Sequence, residues 1–158
     1  MEVVENTLRL YLPSKGTDAA EDGRVCISFN GGKDATVVFH LLHYVLHKHK
    51  LVSMLGTTIK IIYFDDPHQF PAIEQFIKDS LAALHVQPVT FKSSFREGVE
   101  RAIETYHLQA VLMGVRRGDP HTEDAEHFHP STPNYPAFMR VYPALQWDYA
   151  DGETETET

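Results

Sequence analysis

One cysteine in 158 residues, Cys26, is too few for an intramolecular disulfide. It sits in an apolar run where a small hydrophobe packs well, so a reducing compartment is expected and a thiol nucleophile is not. No stretch approaches the ~20 apolar residues of a membrane-spanning helix. Residues 1–12 carry early acids in place of the apolar centre of a secretory signal. The expectation is a soluble, cytoplasmic protein with no membrane partner. Basic residues are scarce as well, 14 Lys and Arg against 22 Asp and Glu, for a formal charge of −8. Surfaces that grip duplex phosphates gather Lys and Arg into a stripe, so no nucleic-acid partner is expected, while a local basic pocket for a small phosphorylated ligand stays open. There is no internal repeat of the solenoid kind, and neither Gly-x-x-x-x-Gly-Lys-Ser/Thr nor Gly-x-Gly-x-x-Gly occurs, which removes the common P-loop and dinucleotide fingerprints.

What is present is alternation. The chain is 42% hydrophobic, enough for one good core and short for two. Residues 6–12 read as a short strand or a helical turn, and the polar run 13–23 as a loop. A β-prone segment at 24–29 leads through a glycine pair to a helix at 36–48, where Val37, Leu41, Tyr44 and Val45 recur at helical spacing. The pattern repeats with a strand at 58–64 and a helix at 70–84 bearing Ile73, Phe76, Ile77, Leu81 and Leu84. A strand at 88–91, a helix at 95–106 with Val99, Ala102 and Ile103 on one face, and a short buried strand at 110–113 follow. Alternating strands and helices predict an α/β domain with a parallel sheet and helices on both faces. From Gly114 onward, Pro120, Pro130, Pro133, Pro136 and Pro143 break the regularity, and that segment is expected to be mostly loop. Residues 1–150 form one domain on this basis, and the acidic tail 151–158 is expected to be disordered. Nothing in the patterning indicates an oligomeric state.

In such a sheet, ligands bind beyond the carboxyl ends of the strands, and the first strand-to-helix turn is the usual phosphate site. Ser28-Phe29-Asn30-Gly31-Gly32-Lys33-Asp34 falls there. Two glycines let the backbone approach an anion closely, and the following helix presents unpaired N–H groups and a positive dipole end. Lys33 adds a cation, and Asp34 can cap the helix or reach a magnesium ion. The alternative is a tight turn with an Asp cap and no ligand. Arg116 and Arg117 follow the last strand at the same edge, where guanidinium groups can hold phosphate oxygens bidentately; the alternative is an exposed Arg–Asp pair with Asp119.

The glycine loop resembles the Ser-Gly-Gly-x-Asp loop of the ATP pyrophosphatase (PP-loop) superfamily, with Asn30 where serine is usual. Tyr63-Phe64, Phe70-Pro71, Gly114-Val115-Arg116-Arg117-Gly118-Asp119-Pro120, Pro136-Ala137-Phe138-Met139-Arg140-Val141 and Trp147 follow it in order. Together, over residues 25–149, they resemble the FMN adenylyltransferase (FAD synthase) family. The resemblance implies a Rossmann-like fold of the adenine nucleotide alpha hydrolase kind, related to PAPS reductases. It also implies transfer of AMP from ATP to FMN, giving FAD and pyrophosphate, with magnesium. By the same resemblance Ser28, Phe29, Asn30, Gly31, Gly32, Lys33 and Asp34 hold ATP phosphates, and the backbone of Tyr63, Phe64 and Asp65 frames adenine. Gly114, Arg116 and Arg117 face the nucleotide, and Asp119 binds flavin or orders its loop. Tyr135 offers a face to the isoalloxazine ring beside Phe138 and Met139, and Arg140 offers a charge to phosphate. Lys33, Asp34, Arg116 and Arg117 are the catalytic candidates and Asp34 the metal candidate. Such chemistry asks for positioning and charge neutralisation, not for a nucleophilic side chain.

The chain departs from the family pattern where an acid is usual at Thr132, and where Asn-Pro-x-x-Asp-Trp is replaced by Tyr142-Pro143-Ala144-Leu145-Gln146-Trp147. It also stops soon after Tyr149, where family members continue. These departures imply weak flavin binding and slow transfer, and they keep open a non-catalytic nucleotide- or flavin-binding protein of the same fold. Sulfate-adenylate reductase chemistry would need a later cysteine. Asp65 and Asp66 read equally well as acids in a turn before Pro67. His40, His43 and His47 at helical spacing, and His121, His127 and His129 in the Pro-rich segment, lack the neighbours of a zinc site.

Overall fold

The structure is a computed structural model that describes residues 2–11, 24–29, 33–56, 58–64, 71–84, 86–92, 94–119, 124–133 and 136–146. In chain order the elements are α1 (Glu2–Tyr11), β1 (Val25–Ser28), α2 (Lys33–Lys48), β2 (Ile59–Phe64), α3 (Pro71–Ala82), β3 (Val89–Phe91), α4 (Phe95–Tyr106), β4 (Ala110–Leu112), β5 (Phe128–Pro130) and β6 (Met139–Val141). The six strands form one sheet in the order β3-β2-β1-β4-β6-β5. Every pairing is parallel except β5 with β6.

Strand side chains alternate between the two faces of a sheet, and the core divides accordingly. Val25 and Ile27 of β1, Ile59 and Ile61 of β2, and Ala110 and Leu112 of β4 pack with Val4 and Leu8 of α1, with α2, and with Ile77 and Leu81 of α3. Cys26, Ile62 and Val111, one position out of phase, pack on the opposite face with Val99 and Ala102 of α4. Helices therefore cover both faces. Helix α4 begins as its sequence directs: the Ser94 hydroxyl accepts from Glu97 N at 3.3 Å, and the chain leaves the helix at His107 in a left-handed conformation. Among the described residues no helix is long and apolar enough to cross a membrane.

Two expectations need correction, and a third needs an addition. Residues 2–11 form a full helix, longer than the turn read from 6–12, because Val4, Thr7 and Leu8 make a buried stripe against α2 and β1. Helix α2 buries Ala35, Val38, Phe39, Leu42, Val45 and Leu46; of the stripe read through Val37, Leu41, Tyr44 and Val45 only Val45 is among them, and Tyr44 is 55% exposed. Apolar residues on several sides of α2 left its phase ambiguous, and the sheet chose among them. The segment after Gly114 is mostly irregular among the described residues, as expected, but it also carries two short strands that the sequence reading did not name. It supplies β6, inserted beside β4, and β5 beyond it. Arg140 interrupts the apolar run of β6, and Pro130 reads as a breaker in β5, although an edge strand tolerates proline. The acidic tail 151–158 lies outside the described residues.

Leu145 is fully buried with Ala125 and Tyr142 in a third cluster, and its carbonyl accepts from Arg117 N at 2.8 Å. Leu145→Ala is expected to cost about 2–5 kcal/mol, the range for a buried leucine. Urea unfolding checks this, and a loss below about 0.5 kcal/mol, the size of an ordinary surface substitution, would contradict it.

Candidate nucleotide site

In the order β3-β2-β1-β4, connections from β1 run one way and β4 lies on the other side, so the switch point of the topology falls between β1 and β4. Helix α2 begins there. Ser28 ends β1, and Phe29 turns its side chain into the core, 2% exposed, with its ring 5.2 Å from that of Phe39 and its N–H donating to Ile62 O. Any contact Phe29 makes with a ligand is thereby left to its backbone. Asn30, Gly31 and Gly32 lie outside the described residues. Lys33 is exposed at the first position of α2, and Asp34 follows in the first turn.

The end of β4 closes on that turn. A Cβ built on Gly114 would sit 2.6 Å from the carbonyl carbon of Asp34 and closer still to Ala35 N, so only glycine admits this approach of two backbones. Two residues on, Arg116 Nε lies 3.0 Å from Asp34 Oδ1, the two side chains being 20% and 27% exposed. The approach is off the line of the N–H bond, so the contact is an ion pair without an aligned hydrogen bond. Asp119 orders the same loop: its Oδ2 accepts from Arg116 N at 2.9 Å, its N–H donates to Arg116 O at 3.1 Å, and Gly118 between them has φ +105°. Arg117 points elsewhere, its guanidinium donating to Ala125 O at 3.0 Å. Of the two adjacent arginines, Arg116 joins the first turn of α2, and Arg117 ties down the segment around Ala125 and Leu145.

Met113, one residue before Gly114, lines a cavity of about 320 Å³ on the α4 side together with Phe95, Ser131, Thr132, Phe138, Arg140 and Tyr142. That volume is at the lower end of small-molecule pockets, roughly 300–1,000 Å³. Phe138 is buried against the α4 cluster, its ring 6.3 Å from that of Phe95. Met139 packs on the other face of the sheet, and Arg140 returns to the cavity. The Arg140 guanidinium donates to Pro130 O at 3.0 Å and meets the Tyr142 hydroxyl, while its Nε is buried with no hydrogen-bond partner among the described residues. Burial raises the Tyr142 phenol above its usual range, and Arg140 opposes part of that rise. The Ser131 hydroxyl donates to Pro136 O and accepts from Phe138 N, holding the cavity wall closed on itself.

Tyr63 is buried in the core of β2; the Phe64 side chain, Asp65 and Tyr135 lie outside what the structure describes. His129 stacks on Tyr142 with ring centroids 6.1 Å apart, and His127 Nδ1 donates to Tyr142 O at 2.8 Å. These two histidines hold Tyr142. No group of three His, Cys, Asp or Glu side chains suited to a metal occurs among the described residues. Sequence reasoning missed Phe95, Met113 and Ser131 as cavity wall, since nothing in two apolar residues and a serine announces a pocket before β6 is known to lie beside β4. Cys26 is buried and its thiol is pushed up to about 12 by desolvation, which suits packing and not nucleophilic attack.

A family model for the phosphoadenosine phosphosulfate reductase domain matches residues 94–152, from the start of α4 onward. A probable FAD synthase of Caenorhabditis elegans is 32% identical over 135 residues, covering 81% of this chain, and a probable FAD synthase of Schizosaccharomyces pombe is 29% identical over 131 residues, also covering 81%. The chain belongs to the FAD synthase family. It spans 49% of the S. pombe FAD synthase and 24% of the C. elegans one. The fold agrees: the crystal structure of Candida glabrata FMN adenylyltransferase in complex with FMN and the ATP analog AMPCPP superposes with a TM-score of 0.77 at 22% identity, covering 96% of this chain and 50% of that one. The family resemblance and the α/β class read from the sequence are both borne out, with the sheet mostly rather than wholly parallel.

Gly114→Ala is expected to destabilise the chain by about 1–3 kcal/mol, the usual cost of overpacking, because the new methyl meets backbone that cannot turn aside. An unchanged urea midpoint would contradict the close approach. Cys26 is expected to resist alkylation in the native chain at neutral pH and to react once denaturant is added; rapid native labelling would contradict its burial.

Proposed function

We propose that this FAD synthase family chain binds ATP with its phosphates at the start of α2 and FMN in the cavity beside Met113, and transfers AMP from the first to the second. The observation that carries this is adjacency: Met113 lines the cavity and the next residue, Gly114, abuts the first turn of α2. Two substrates placed on either side of one peptide unit are within reach of a direct transfer.

In the reaction an oxygen of the FMN phosphate attacks the α-phosphorus of ATP, a new P–O–P linkage forms, and the bond to pyrophosphate breaks. The chain's task is to hold attacking oxygen, phosphorus and leaving oxygen in line and to neutralise charge. Helix α2 supplies N–H groups and its dipole to the phosphates, Lys33 and Arg116 supply cations, and Arg140 receives the anionic end of the flavin nucleotide with its buried Nε, unpartnered among the described residues. Cavity walls of Phe95, Phe138 and Met113 suit an aromatic ring. The described residues do not build a site for magnesium: the one candidate carboxylate, Asp34, is engaged by Arg116, and no cluster of three ligands surrounds it.

A second possibility is a protein that binds these nucleotides without efficient transfer. It is favoured by Thr132 and Tyr142, which line the cavity where the family pattern carries an acid and an asparagine. Fewer polar anchors orient the ring less well, and misorientation costs rate more than affinity.

Incubation with FMN, ATP and magnesium, followed by chromatography, separates the two. Equal amounts of FAD and pyrophosphate are expected from the transferase, at well under about 1 per second if the cavity departures matter as argued. ATP and FMN binding without FAD would favour the binding protein, and absence of both would contradict the site. Arg140→Ala is expected to weaken FMN binding by about tenfold or more, as loss of a charge-assisted contact does, with ATP affinity unchanged.

A further inference from the structure

Asp34 and Arg116 enter the site from opposite sides of the switch-point crevice, one on the helix that begins the nucleotide site and one on the loop that follows β4. Arg116 is constrained along its whole length. Its N–H donates to Asp119 Oδ2 and its carbonyl accepts from Asp119 N, the strand before it is pressed on α2 at Gly114, and its Nε stands 3.0 Å from Asp34 Oδ1. With the two side chains only 20% and 27% exposed, the pair is screened less than a surface bridge. The charge attraction of a carboxylate beside Nε holds the guanidinium near the first turn of α2.

We propose that Asp34 is a positioning residue for Arg116 and not a ligand of magnesium, and that it aims the guanidinium at the phosphates of ATP. This rests on the ATP site proposed above. Magnesium asks for six oxygens in near-octahedral array and keeps several waters, so it is commonly carried by substrate phosphates with one or two carboxylates. A carboxylate already neutralised by an adjacent guanidinium is a poor donor for it. The pair is the side-chain counterpart of the backbone contact at Gly114, and both tie the helix that holds one substrate to the loop beside the other.

A double-mutant cycle tests this. Asp34→Asn, Arg116→Gln and the double variant are compared with the wild-type chain for ATP binding by calorimetry across a magnesium titration, and for thermal unfolding without ligand. Each single change is expected to weaken ATP about tenfold, and the double change by about the same, since residues that act as a unit are not additive. The magnesium concentration giving half of the maximal ATP binding is expected to be the same for wild type and Asp34→Asn, and Asp34→Glu is expected to restore part of the affinity lost in Asp34→Asn. Additive losses approaching a hundredfold in the double variant, or a magnesium requirement raised in Asp34→Asn alone, would overturn the proposal. If the wild-type chain binds no ATP, the nucleotide site itself is contradicted and this inference falls with it, while non-additive melting temperatures would still show that the pair exists.

Discussion

The approach of Gly114 to the first turn of α2 is the constraint on which the rest of the site depends. Two backbone segments meet there with no room for a Cβ, so the end of β4 and the start of α2 cannot shift independently. From that contact the chain runs one residue back to Met113 and the cavity, and two residues forward to Arg116 and its pair with Asp34. A sheet with α1, α2 and α3 on one face and α4 on the other places this junction at the switch between β1 and β4, where both faces are open to a ligand beyond the strand ends.

Around the junction, polar contacts serve mostly to stiffen. Asp119 closes the turn after Arg116, Arg117 fastens the stretch at Ala125 and Leu145, and Ser131 ties its own loop to Pro136 and Phe138. Tyr142 is held from two sides, by the ring of His129 and by His127 at its carbonyl, and in turn meets the guanidinium of Arg140. Residues that look like a loose set of charges and rings in the sequence thus form a rigid frame with a small number of groups left facing the cavity. Such a frame suits the proposed transfer, in which no side-chain nucleophile takes part and alignment sets the rate.

Much of the sheet was legible because apolar strands and amphipathic helices alternate, and the helix Phe95–Tyr106 was read at its true bounds from the apolar face through Val99, Ala102 and Ile103. The phase of α2 was not legible, because Val37, Leu41 and Tyr44 are as apolar as the residues the sheet selected. Strands β5 and β6 escaped for a different reason: one contains proline and the other arginine, and only pairing with β4 makes them strands. The glycine loop and the arginine pair were singled out from residue type and position, but the different contacts of Arg116 and Arg117 were not legible, since adjacent side chains on an irregular loop carry no periodicity. The Asp34–Arg116 pair joins residues 82 positions apart and becomes visible only when β4 lies beside β1.

An amide-resolved NMR titration of the chain with a non-hydrolysable ATP analogue tests whether nucleotide phosphates bind at the junction of α2 and the end of β4. Saturable shifts concentrated at Lys33 to Thr36 and at Gly114 to Arg116, with the amides of α3 and β5 little changed, are the result the structure predicts. Saturable shifts elsewhere with those amides unmoved would contradict it.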